Sequence, residues 1–246
     1  MTKQGGLGDA LYVGGYNVSG DIQSVKRVGG GPAALDLTSI EQYAFERAGG
    51  KRDGAIEFTA FFNKSPGRAH EALSTMPTAD SIVSYLRGTS LGAPAACLNG
   101  KQIGYDPTRA EDGALTIGTV AEGNSYGLEW GHNLTAGVAA QTAAGTLTGY
   151  ADGVGAATAF GLQAYLHVFA FTGTSVVVSL EDSNNGGADP YTTVASFASM
   201  TGIGDQRIQT ARNENIKQWL RVRTTGTFSL LWIAVIVVRN EVEVTF

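Results

Sequence analysis

Cysteine occurs once in the 246 residues, at Cys97, and histidine three times. A lone thiol excludes an intramolecular disulfide and a cysteine-based zinc site, and it suits folding in a reducing cytoplasm. Its structural reading is a small buried hydrophobe. Charge is sparse as well, at 16% of residues with a net charge of −5, and Lys and Arg form no run. The footprint that phosphate binding leaves in a sequence is missing, which argues against sequence-specific nucleic-acid recognition. The longest apolar run, FSLLWIAVIVV at 228–238, is about half of the ~20 residues a membrane helix needs. The opening MTKQGGLGDALYVGG has neither the basic nor the continuous apolar region of a secretory signal. We therefore expect a soluble, unexported chain with no membrane partner, in which the sequon-like triplets at Asn63 and Asn133 are chance matches.

Glycine is abundant instead, with 34 against 6 prolines. Glycine supplies the φ > 0 positions that tight turns demand, so this composition suits many short strands. Residues 11–22 read as two strands about a Gly14-Gly15 turn. Residues 25–53 carry Gly29-Gly30-Gly31-Pro32 at one end and Gly49-Gly50-Lys51-Arg52-Asp53-Gly54 at the other, which predicts a long, jointed loop leaving the sheet rather than a tight hairpin. Residues 55–63 alternate, with Ile56, Phe58, Ala60 and Phe62 on one side, as a half-buried strand should. After Pro66-Gly67-Arg68, Ala69, Leu73 and Met76 fall at helical spacing before Pro77. Strands follow at 81–87, 96–105 and 114–121.

From 134 to 157 the chain collapses into Ala, Gly and Thr, the composition of a linker. Beyond it, strands at 160–171, 175–182, 191–197, 206–210, 218–224 and 227–239, with turns at 184–187 and 225–226, have the spacing of an antiparallel sandwich. The reading is mainly β: a first β-sandwich domain over 1–135 with one flanking helix and a long loop, a linker over 136–157, and a second antiparallel β-sandwich over 158–246. The second domain is expected to be partly dispensable, so that truncation near Thr146 leaves a soluble first domain.

Sequences that carry chemistry fail on context. Gly88-Thr89-Ser90-Leu91-Gly92 matches a nucleophile elbow, but an elbow opens a helix in a parallel sheet, and here Ala93-Pro94 and another strand follow. His70, His132 and His167 lack metal-ligand spacing. The segment 182–187 resembles the opening of a calcium loop without its closing glutamate, and Glu181 and Asp182, adjacent on a strand, point to opposite faces. Gly153-Val154-Gly155 lacks the third glycine and preceding strand of a dinucleotide site. We expect no catalytic residues, no metal and no cofactor. Trp219 and Trp232 read as core, or alternatively as platforms of a carbohydrate-binding module.

With the order of elements in hand, residues 18–124 resemble the tube domain of siphophage major tail proteins. The resemblance rests on SGDIQSVKRVGGGPAALDLTSIEQYAFERAGGKRDGAIEFTAFFN, the AHEAL helix, DSIVSYLRG and GKQIGYDPTRAEDGALTIGTVAEGNSYGLEWG. It implies a sandwich whose sheets join those of five neighbours in a hexameric ring, with the long loop reaching an adjacent ring. The virion tail would be its place, after assembly in the host cytoplasm. Tape measure, tail terminator and distal tail proteins would be its partners, and genomic DNA would pass through without sequence-specific binding. A capsid decoration or other accessory protein stays open as an alternative. On the residues alone, Leu35, Leu37, Ile40, Tyr43 and Phe45 form an apolar set within the loop that needs cover from its own domain or from a partner. Arg47, Lys51 and Arg52 are placed to add salt bridges. The loop is expected to be mobile in the free subunit, because ordering costs roughly 1 to 2 kcal/mol per residue in backbone entropy.

Overall fold

Alternating apolar side chains fold the chain into antiparallel strands, and in the computed structural model, which describes residues 5–75, 79–152 and 155–243, the strands stack around three cores. In the first part these are β1 (Ala10–Val13), β2 (Tyr16–Asn17), β3 (Ile22–Asp36), β4 (Arg47–Phe61), the helix α1 (Ala69–Ser74), β5 (Ser81–Leu86), β6 (Pro94–Arg109) and β7 (Leu115–Gly123). Then come β8 (Glu129–Asn133), β9 (Ala139–Gln141), β10 (Gly145–Thr146), β11 (Tyr150–Ala151), β12 (Leu162–Ser183), β13 (Thr192–Ser196), β14 (Gly204–Gln209) and β15 (Trp219–Arg239). The mainly β reading holds.

In the first half, β3, β4, β7 and the outer part of β6 form one sheet, and the inner part of β6 continues into β5, β1 and β2. Between them lie Leu11, Val13, Ile56, Phe58, Val83 and Leu98, closed at one end by Ala69, Ala72 and Leu73 of α1. The helix has no cap from its own neighbour Arg68. Asp21 caps it from a distance, accepting the Ala69 N–H at 3.0 Å while it also holds Asn63 at 2.8 Å. The stop expected at Met76 and Pro77 lies outside the described residues.

The second half is one long ribbon. β12 pairs with β15 from Leu162↔Arg239 to Ser183↔Trp219, so the paired strands at 160–171 and 175–182, and at 218–224 and 227–239, are continuous. The intervening Thr225-Gly226 is a bend rather than a turn. Bulges between Val168/Ala170, Thr172/Gly173 and Gly173/Ser175 let the ribbon fold over, so that Leu162, Leu166, Ile233 and Val235 of one half meet Val176, Val178, Leu180 and Val222 of the other. Glycine is required at the fold: a Cβ at Gly173 would lie 2.4 Å from the Thr227 oxygen, and one at Gly226, where φ is 120°, would lie 2.3 Å from the Ser175 oxygen.

Residues 136–157, expected as a linker, carry β9, β10 and β11, each hydrogen-bonded to the outer edge of β15. Preceded by β8 on the same edge, they satisfy backbone groups of a strand that would otherwise end the sheet. A third core joins the halves. Ala10, Tyr12, Ile82, Leu86, Ala95 and Cys97 point away from the first core and pack on Tyr165, Ala234 and Ile236, as period-two alternation dictates for strands buried on both faces.

Candidate functional site

The 25–53 excursion is a long, bulged β-hairpin, not the jointed loop expected. β3 and β4 pair from Val25↔Phe58 out to Asp36↔Arg47, with register shifts between Val25/Arg27 and Pro32/Ala34, leaving residues 37–46 as the tip. Past Gly29↔Ala55 almost every residue of the arm is exposed. Gly30 and Gly54 face each other at its base, under Leu128; a Cβ at Gly54 would come within 2.6 Å of the Leu128 amide nitrogen. Small residues there let the 123–128 segment brace the arm where it leaves the body.

The tip is held by its own polar groups. Asp36 accepts hydrogen bonds from the Thr38 N–H at 3.0 Å and hydroxyl at 2.5 Å, which lower its pKa. Glu46 donates its N–H to the Thr38 oxygen at 2.9 Å, and Leu37 donates to the Glu46 carbonyl at 2.9 Å. Five apolar side chains stand out from this frame: Leu35, Leu37 (59% exposed), Ile40, Tyr43 and Phe45 (70% exposed), with Ile40 and Tyr43 wholly in solvent. The chain's own domain covers none of them. Arg47 lies over the Phe45 ring, 4.6 Å from its centroid, and Lys51 is exposed midway along the arm. Arg52 turns back to the body, 3.8 Å from Glu129, so it anchors the arm instead of extending its charged tip.

Along β3 the outer edge carries no partner strand among the described residues. An unpaired edge of this length is a template for another chain, and Gly29-Gly30-Gly31-Pro32 limits where that pairing can run, since Pro32 has no N–H to donate.

No family model matches the chain, and no curated protein does. Among solved structures it overlaps with the Dit protein (gp 19.1) of phage SPP1, described as a paradigm of the hub adsorption apparatus in phages infecting Gram-positive hosts. The TM-score is 0.34 at 9% identity, over 94% of this chain and 99% of that one. It also overlaps with a chain of the phage P2 baseplate in its activated conformation with Ca, at a TM-score of 0.33 and 8% identity over 95% and 99% of the two chains.

The other residues singled out by sequence take structural positions. Gly88 to Gly92 forms the connection of the β5–β6 hairpin, with Leu86 opposite Ala95. His70 meets the Tyr105 hydroxyl at 2.6 Å, and His132 packs beside Tyr150. His167 is fully buried in the third core, its Nε2 2.9 Å from the Ser84 hydroxyl, which also lies 3.2 Å from the Cys97 thiol. Burial pushes the His167 pKa down to about 3 and the Cys97 thiol up to about 12, and both side chains are wholly enclosed. Glu181 binds Arg221 and Arg223, whereas Asp182 binds Lys217 and Thr192, separate partner sets that fit their opposite orientations. Gly153 and Val154 lie outside the described residues. Trp219 is half-buried beside Gly186, and Trp232 is 46% exposed on the wall of a cleft, a correction to its reading as core.

Sequence reasoning missed the polar knot that ties the arm's base to the second half. Glu129, buried, accepts from the Tyr165 hydroxyl and from Arg207 at 3.3 Å, and Arg207 lies 3.7 Å over the Tyr126 ring. Burial acts to lower the Arg207 pKa, but Tyr165 and Glu129 outweigh it and the net shift is upward. These residues are far apart in the chain and share no motif, so no local signal marks them.

Proposed function

We propose that this chain is a non-enzymatic structural protein of a phage tail that works by associating with copies of itself, and, more finely, that it is a tail tube subunit forming stacked, hexameric rings through which DNA passes. The observation that carries the reading is the arm: a braced hairpin holding five apolar side chains clear of the chain's own body. Exposing that much apolar surface is costly unless a partner covers it. The unpaired β3 edge supports lateral strand addition between copies, and the resemblance of residues 18–124 to tail tube domains supplies the setting. Tape measure, terminator and distal tail proteins would then meet the ends of the assembly.

Light scattering and negative-stain microscopy of the purified protein test this reading. Rings or tubes that form as concentration rises are the expected result; a monomer at every concentration overturns it. A single closed ring that never stacks would leave self-association standing and remove the tube. Changing Leu37 and Phe45 together to Ser is expected to abolish assembly while shifting the thermal midpoint of the unassembled subunit by no more than about 2 °C, because exposed substitutions stay within about 0.5 kcal/mol. A variant that unfolds the monomer would show instead that the tip belongs to the domain's own core.

A further inference from the structure

Resting on that self-association, we propose where the arm lands: the apolar tip of one copy seats in the Trp232 cleft of the next. The cleft, about 460 Å³, is walled by Trp232, Phe169, Ile203, Val138, Tyr16 and Arg68. Trp232 and Ile203 are exposed, and Val138, Phe169 and Tyr16 are half-buried. This is a socket with an aromatic floor, of the size that accepts a cluster of large side chains.

Its position decides the occupant. The walls include Ser19 and Gly20, just before β3 begins, and Pro66 and Gly67, just after β4 ends. The tip at 37–46 is at the other end of the same two strands. With fifteen residues in β3, the two ends are separated by roughly 50 Å at ~3.3 Å per residue. The arm cannot reach its own cleft, so knob and socket meet only between molecules. Because each copy carries one of each at opposite ends, the contact is head-to-tail, the class that closes into rings or runs on as filaments. Charge agrees. Arg68 is exposed on the cleft wall and makes no ion pair among the described residues, and the tip exposes Glu41 and Glu46, likewise without ion pairs.

Charge reversal and cross-linking on the full chain test the docking. Arg68→Glu is expected to weaken association at least tenfold, and adding Glu41→Lys and Glu46→Lys to the same chain is expected to restore it. A mixture of Ile40→Cys and Ile203→Cys chains should give a heterodimer with a short bis-maleimide, whereas Ile40→Cys with Ile103→Cys should not; buried Cys97 is present in all samples as an unreactive background. If wild-type chains assemble but Arg68→Glu is without effect and Ile40→Cys links to Ile103→Cys equally well, the docking is wrong while self-association stands. If wild-type chains never assemble, both fail. Loss of glycan-array binding on Trp232→Ala, with assembly intact, would make the cleft a sugar site and overturn the docking.

Discussion

His167 is fully buried, with Tyr12 edge-on, Phe169 stacked and Ser84 at hydrogen-bond distance, and its Nδ1 finds no hydrogen-bond partner among the described residues. Desolvation holds it neutral, so its folded pKa of about 3 lies well below the ordinary 6.5. Between those values the unfolded chain binds a proton that the folded chain refuses; stability therefore falls as pH falls through that window, by about 1.4 kcal/mol per pH unit. Tyr12, Cys97 and Tyr165, the titratable groups in the same core, are all pushed up by burial and stay neutral throughout. Asp205, opposite on β14, has its pKa raised by burial and contributes with the opposite sign. The difference between variants isolates the histidine. Unfolding free energies of His167→Leu from urea titrations at about pH 4 to about pH 7 should show a shallower loss on acidification than wild type, by that same slope. Parallel curves would mean that the imidazole accepts a proton in the folded state.

At the scale of elements, the fold-over of the β12–β15 ribbon makes a sandwich from a single pair of strands, and Gly226 is where it is most constrained. A side chain there meets both the left-handed backbone, φ 120°, and the Ser175 carbonyl. Gly226→Ala should destabilise by about 2 to 4 kcal/mol, from backbone strain plus overpacking. Gly145→Ala, in β10 with open space around it, should stay within about 0.5 kcal/mol. Equal urea midpoints for the two would show that the bend relaxes without cost. The arm carries a related lesson. Its glycines read as joints because both faces of the hairpin are in solvent and no alternation marks the strands. Cross-strand backbone hydrogen bonds order it within one chain, and the apolar tip alone is left for a partner.

For the whole molecule, the third core sets what can be removed. Truncation after Thr146 strips Tyr165, Ala234 and Ile236 from Tyr12, Ile82, Leu86 and Cys97 and leaves β8 without β15. Exposing Ile82 and Leu86 alone forfeits roughly 3 to 6 kcal/mol, a large share of the stability of a small domain. The fragment 1–146 is expected to aggregate or to bind a hydrophobic dye, contrary to the independence that the sequence suggested. A soluble fragment with a cooperative thermal transition would show that the first and second cores suffice separately.

The β class, the Gly14-Gly15 turn, the α1 position and a strand through 227–239 followed from local pattern, because period-two alternation and helical spacing are written in neighbouring residues. So was the apolar set Leu35, Leu37, Ile40, Tyr43 and Phe45, though not the hairpin that carries it. Residues 136–157 show the limit: Ala, Gly and Thr contribute backbone hydrogen bonds to β15 rather than side-chain bulk, so no hydrophobic period betrays them. The Glu129–Tyr165–Arg207 knot and the Trp232 cleft join residues tens to more than a hundred positions apart. Such contacts exist only once the ribbon has folded over and packed on the first sandwich, since it is that packing which removes water and brings the groups within reach.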